Sequence, residues 1–202
     1  MQKPVVLDIK NLRTEFGPRE NPLVAVDDVS FQVHEGEILG LVGESGSGKS
    51  ITLRSIIGIV QPRGRVSGKI LWKGQNLAAL GEADLRAVRG REIAMIFQEP
   101  MSSLNPLLTV GLQIEENLVA HTDLDARARK ARAVELLDMV GIPAAKSRLG
   151  DYPHEFSGGM RQRVMIAIAL ASNPRLLLAD EPTTALDVTI QDQILRLIQS
   201  LA

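Results

Sequence analysis

Gly43-Glu44-Ser45-Gly46-Ser47-Gly48-Lys49-Ser50 is the stretch on which the fold turns. It fits the pattern G-x-x-x-x-G-K-[ST] at every fixed position. Directly before it, Ile38 to Val42 is a short apolar run of the kind that suits a strand buried on both faces. After it, the residues from about Lys49 to Ile59 read as a helix. Glycines let the backbone curl so that successive N–H groups point inward and form an anion nest. The helix N-terminus adds partial positive charge at the same spot. Lys49 is expected to reach the β- and γ-phosphates of a nucleotide, and the Ser50 hydroxyl to ligate Mg²⁺. The whole loop, with Ile51 in the first helical turn, is expected to line the nucleotide. This motif alone does not separate GTPases, kinases and transport ATPases.

Working outward, residues 5–10 and 24–33 read as strands, with Val29, Phe31 and Val33 alternating. Lys69 to Trp72, Ile93 to Phe97 and Arg175 to Ala179 read as further strands. Helices are expected over Thr109 to His121, Leu124 to Val140, Ser157 to Ser172 and from Val188 onward. In the second of these, Leu124, Ala128, Ala131 and Leu137 are expected on or near one apolar face. Strand-loop-helix units around a helical stretch predict an α/β fold: a P-loop parallel-sheet core, an N-terminal antiparallel β lobe and a helical insert. The core is expected over residues 1–98 and 160–202, and the insert over about 99–159.

The chain has 202 residues, 45% of them apolar, enough for one domain with a real core. Its 23 basic and 24 acidic side chains leave a formal charge of -1, so no electrostatic pull toward nucleic acid is expected. Arg127 to Arg132 reads as a solvated helix face, with no aromatics interleaved. There is no cysteine, which excludes disulfides and thiolate metal sites. No signal peptide is visible, and the apolar runs fall short of the roughly 20 residues that a membrane span needs. Any membrane role is therefore expected to run through a partner.

Two further constellations carry chemistry. Leu176-Leu177-Leu178-Ala179-Asp180-Glu181 is an apolar strand ending in two carboxylates, where a parallel sheet meets its ligand. Asp180 is expected to hold a metal ion and Glu181 to polarise an attacking water. Adjacent strand residues face opposite ways, so the two should do different jobs. Pro182 is expected to keep Glu181 extended. Phe156-Ser157-Gly158-Gly159-Met160-Arg161-Gln162-Arg163 opens an apolar helix with a good N-cap and accessible N–H groups, a second anion-binding helix start. The simplest use of a second cradle is a nucleotide held by another subunit.

In order, Gly43–Ser50, Gln98, Ser157–Gly159, Asp180–Glu181 and Thr184-Ala185-Leu186-Asp187 resemble the ATPases of ABC transporters, over nearly the whole chain. Phe97 to Pro106 and Tyr152 to Arg163 resemble one branch, the oligopeptide, dipeptide and nickel importer ATPases. The resemblance implies that Phe16 stacks on adenine and that Gln98 touches Mg²⁺ and the attacking water. It implies that Ser157, Gly158, Gly159 and Met160 contact the γ-phosphate of a partner's ATP, and that Asp187 sits at a dimer seam. It implies ATP hydrolysis between two such subunits, alike or different, at the cytoplasmic face of the inner membrane. Transmembrane permease subunits and, indirectly, a solute-binding protein are the implied partners, with residues around Glu99 to Leu124 as the docking surface. Alternatives are an ABC ATPase of DNA repair or translation, an exporter, and a nucleotide-binding fragment with little turnover.

Two positions depart from the family's pattern: Phe156 stands where Leu is common, and Met160 where Gln is. The family's γ-phosphate histidine lies on a later strand, and His34, His121 and His154 do not match it. The sequence stops inside a helix with no capping residue. It is therefore expected to be incomplete at its C-terminus, to bind ATP and to turn over slowly by itself.

Overall fold

The computed structural model describes residues 3–60, 64–98, 103–183 and 188–200, the side chains of Thr189 and Ile190 excepted. The chain separates into two compact units, one up to Arg86 and one from Ala87 onward.

The N-terminal unit rests on two long antiparallel strands, β1 (Val5–Phe16) and β2 (Leu23–His34). With β3 (Arg65–Trp72) and β4 (Gln75–Asn76) they form a sheet of order β2-β1-β3-β4. Alternation alone would place Leu12 on the face opposite Leu7 and Ile9. A register shift between Ile9 and Leu12 corrects this. Asn11 takes a left-handed φ of 49°, and its side chain donates to Asp28 Oδ1 at 2.7 Å. The extra residue is a bulge that resets the parity, so that Leu7, Ile9, Leu12 and Thr14 are all buried. Opposite it, a Cβ on Gly68 would lie 2.3 Å from the Asn11 carbonyl oxygen, so only glycine fits there. Helix α1 (Lys49–Ile56) docks on this sheet, and Ser55 and Thr14 share a buried hydroxyl–hydroxyl bond of 2.8 Å; a short helix, α2 (Glu82–Val88), follows β4 along the chain.

Ile38 to Val42 departs from expectation. It joins no strand ladder among the described residues, and it is exposed, Ile38 at 57% and Val42 at 93%. A buried strand needs partner backbones on its edges and cover on its faces. Within this unit neither is supplied.

The second unit holds a parallel pair, β5 (Ile93–Ile96) and β6 (Leu176–Ala179), in register from Ile93↔Leu176 to Ile96↔Ala179. All four β5 residues are buried, as its continuous apolar run predicts. Around the pair stand α3 (Val110–His121), α4 (Ala126–Met139), α5 (Ala145–Arg148), α6 (Gly158–Leu170) and α7 (Val188–Ser200). Thr109, Asp125 and Ser157 cap three of them, each side chain accepting a backbone N–H within the first turn. Helix α6 buries Val164, Met165, Ile166, Ala167, Ala169 and Leu170, which fall on all its sides, so it is the central helix.

The apolar face of α4 is not the one expected. Leu124 and Ala131 are exposed, whereas Ala133, Leu136, Leu137 and Val140 are buried. The stripe still obeys the i, i+3, i+4, i+7 spacing, but packing against α6 chose a neighbouring face. Arg132, on that helix, leaves the solvated row and donates to Asn173 Oδ1 at 2.8 Å. No helix among the described residues is long and apolar enough to cross a membrane.

Candidate functional site

The loop before α1 tolerates only glycine at key points. Gly46 and Gly48 have φ of 78° and 92°, a region that side chains rarely enter. A Cβ on Gly48 would lie 2.4 Å from the Ala25 carbonyl oxygen of β2, and one on Gly43 2.6 Å from Ser47 Oγ. The Ser47 N–H donates to the Glu44 carbonyl at 3.2 Å and tightens the turn. Lys49 folds back over the loop, its ammonium donating to the carbonyls of Gly43 at 2.9 Å and Glu44 at 2.8 Å. Residues 43–47 are solvent-exposed, and Lys49, Ser50 and Ile51 follow in the first turn of α1. An exposed glycine nest, a helix start and a fixed cation together can hold a polyphosphate.

Phe16 ends β1, half-buried, with its ring 3.0 Å from where a Gly64 Cβ would stand. That strand end is braced by Arg65, which donates to the Gly17 carbonyl at 2.6 Å. The Arg13 guanidinium holds the Glu15 carboxyl below the usual carboxylate range, with Arg65 adding to the effect.

The acidic pair lies in the second unit. The Asp180 N–H donates to the Ile96 carbonyl at 2.9 Å, carrying the parallel ladder one residue past β6. Its side chain is buried, at 2% exposure. Glu181 is not extended, contrary to the reading of Pro182; its φ is +47°. A proline disfavours the right-handed helical region for the residue before it. That preference alone would favour an extended residue, so the left-handed φ of Glu181 is imposed by the sharp turn in which it sits. Strand alternation therefore does not separate the two carboxylates; the turn does. Gln98, exposed after β5, donates from Nε2 to Glu181 Oε2 at 3.1 Å, so the structure brings these two expected residues together.

Ser157 caps α6, its hydroxyl accepting the Met160 N–H at 3.3 Å, and both Ser157 and Gly158 are exposed. Phe156 is buried at 3%, with the Arg148 guanidinium 5.8 Å from its ring centre. The bulkier residue at this position is thus packed inward and leaves the exposed N–H groups clear. Asp187, with Thr184, Ala185 and Leu186, lies outside the described residues, as do Glu99, Pro100, Met101 and Ser102 of the docking stretch.

Sequence reading missed two residues of this region. Arg161 donates to the carbonyls of Phe156 at 3.0 Å and Pro153 at 3.5 Å, clamping the turn that precedes α6. Gln162 donates to the Pro182 carbonyl at 2.8 Å, next to Glu181. Gln162 stands between two arginines at the polar start of α6, so no local signal marked it as buried.

The histidines do ordinary work. His34 pairs with Glu37 at 3.0 Å. His154 stacks on Tyr152 at 5.7 Å. His121 packs over Gly90, and burial, with help from the Arg91 charge, lowers its pKa below the usual histidine value.

Comparison with known proteins gives this geometry its context. The sequence profile described as "ABC transporter" matches residues 26–184. The oligopeptide transport ATP-binding protein AppD of Bacillus subtilis is 54% identical over 198 residues, covering 97% of this chain and 60% of AppD. The dipeptide transport ATP-binding protein DppD of Haemophilus influenzae is 53% identical over 197 residues, with 97% and 60% covered. The chain thus spans about three fifths of the length of these curated relatives. Among solved structures, the dimeric post-hydrolysis state of the ATP-binding cassette MJ0796 bound to ADP and Pi superposes with a TM-score of 0.86 at 32% identity. That match covers 96% of this chain and 82% of the cassette.

Proposed function

This chain belongs to the ABC transporter family, and from that premise we propose that it is the ATP-hydrolysing subunit of a bacterial importer for peptides or related small solutes. Dipeptides, oligopeptides and nickel are the solute classes of the branch it resembles. One observation carries the nucleotide assignment: the Lys49 ammonium is held across an exposed, glycine-rich loop at the start of α1. The nest and the cation fit a triphosphate.

Each group then has a task. Lys49 and the N–H groups of Gly43 to Ser50 bind phosphate oxygens, Ile51 closes the first turn, and Phe16 stacks on adenine. The hydroxyl of Ser50, the buried carboxylate of Asp180 and the amide oxygen of Gln98 are hard oxygen donors, the set that Mg²⁺ prefers. When bound, the ion neutralises charge on the β- and γ-phosphates. Glu181 orients a water for in-line attack on the γ-phosphorus. The bond from that phosphorus to the β–γ bridging oxygen breaks, ADP leaves, and the water's proton passes toward the carboxylate.

Ser157, Gly158, Gly159 and Met160 serve the ATP of a second ATPase subunit, with Asp187 at the seam. The 82% exposure of Leu107 and the 45% exposure of Leu112 support a docking surface for permease subunits. The chain is placed at the cytoplasmic face of the inner membrane, supplied indirectly by a solute-binding protein. Residues 99–159 act as the helical signature lobe and the rest as the nucleotide-binding core.

The deciding experiment is a titration with a fluorescent ATP analogue. Lys49→Ala should weaken binding about tenfold to a hundredfold, the loss expected for charge-assisted hydrogen bonds. Unchanged affinity would refute the assignment.

A further inference from the structure

The turn that bears Glu181 is held in an unusual way. Residues 181, 182 and 183 are each gripped by a glutamine amide from a different element. Gln98, after β5, donates to Glu181 Oε2 at 3.1 Å; Gln162, on α6, donates to the Pro182 carbonyl at 2.8 Å; Gln191, on α7, donates to the Thr183 carbonyl at 3.0 Å. A non-glycine residue at φ +47° persists only where its surroundings over-determine it. The bonds to the Pro182 and Thr183 carbonyls restrain the backbone that follows Glu181, and the Gln98 bond holds its side chain.

Gln162 stands apart from the other two. It is buried at 3% exposure on a helix whose neighbouring positions Val164, Met165 and Ile166 are apolar and buried. A buried amide is costly unless bonded, and its Nε2 is spent on the Pro182 carbonyl. Helix α6 is also the helix that Ser157 caps. A rigid helix links the serine-glycine turn at its start to the carbonyl that follows Glu181.

We propose that Gln162 is a positioning residue, which fixes the Glu181 turn to the signature helix so that displacement of the serine-glycine turn is felt at the water-orienting carboxylate. This rests on the reading of Glu181 given above. On that reading, the serine-glycine turn meets a nucleotide held by the second subunit, while Glu181 acts on the subunit's own. Gln162 therefore ties one nucleotide site to the other within a single subunit.

The test uses the complete protein with Gln162→Leu, which keeps the volume and removes the donor. ATP turnover, KM for ATP, affinity for a non-hydrolysable analogue and melting temperature are measured together. Loss of one hydrogen bond that acts on the turn should lower kcat about three- to tenfold, with KM and analogue affinity within about twofold and melting unchanged. Unchanged kcat overturns the proposal. So does a parallel fall in kcat, analogue affinity and melting temperature, the mark of a merely structural residue. Gln162→Met, unbranched and of matching length, carries the same test should the leucine variant fail to fold. Glu181→Gln is run beside them. If it hydrolyses ATP normally, the functional reading itself fails; if it is inactive while Gln162→Leu is normal, only the positioning role is lost.

Discussion

Glu181 carries the sharpest residue-scale expectation. Its carboxylate accepts from Gln98 at 3.1 Å and sits on a backbone that only a constrained turn sustains. Replacing it by Gln keeps the shape and removes the charge that, on the proposed reading, polarises water. Glu181→Gln should retain nucleotide affinity within about twofold while kcat falls about a hundredfold or more, the range of general-base contributions. Stopped-flow phosphate release with equilibrium binding on the same sample checks both halves. Size-exclusion chromatography with ATP should then show a trapped dimer. Wild-type hydrolysis by this variant would remove Glu181 from the role of base.

Local chemistry of this sort was legible because it permits few residue types. A nest at φ of 78° and 92° needs glycine, and a phosphate clamp needs a cation at the helix start. The left-handed state of Glu181 was not legible. The turn around it is bonded by amides from positions 98, 162 and 191, which the local stretch does not contain.

At the scale of elements, capping decides how firmly the signature helix starts. The Ser157 hydroxyl accepts the Met160 N–H, and Arg161 clamps the carbonyls of Pro153 and Phe156 just upstream. Ser157→Ala should cost about 1 kcal/mol of stability, the usual value of an N-cap. Urea unfolding would register it as a lower midpoint with an unchanged slope. Nucleotide bound to the variant's own Lys49 loop should keep its affinity, because on the proposed reading Ser157 serves a neighbour. Helix positions and caps were readable from periodicity and Ser, Thr or Asp placement. Which face of α4 turned inward was not, because Leu124 to Leu137 offers two neighbouring stripes, and the fit against α6 selected Ala133, Leu136 and Leu137.

For the whole molecule, the exposed apolar side chains of the second unit bear on coupling. Leu107, Leu112 and Val119 are 82%, 45% and 58% exposed, at or near α3, within the stretch proposed to dock on a permease. Grouped exposed apolar side chains mark interaction surfaces. Leu107→Asp should reduce solute uptake in reconstituted vesicles severalfold while nucleotide affinity stays within about twofold. A matched loss of nucleotide binding, or full uptake, would count against a docking role.

The amino-acid sequence alone made the family legible, with the glycine-rich loop, the capped helix after Phe156 and the two carboxylates, since each rests on a short motif whose local geometry or chemistry few residue types meet. Tertiary structure decided what depends on partners distant along the chain. It denied Ile38 to Val42 a ladder among the described residues, chose the inner face of α4, and bent Glu181 into a turn held by three glutamines. The physical reason is the same in each case. Hydrogen-bond partners and packing surfaces are supplied by the folded molecule, and a local stretch carries only its side of the contact.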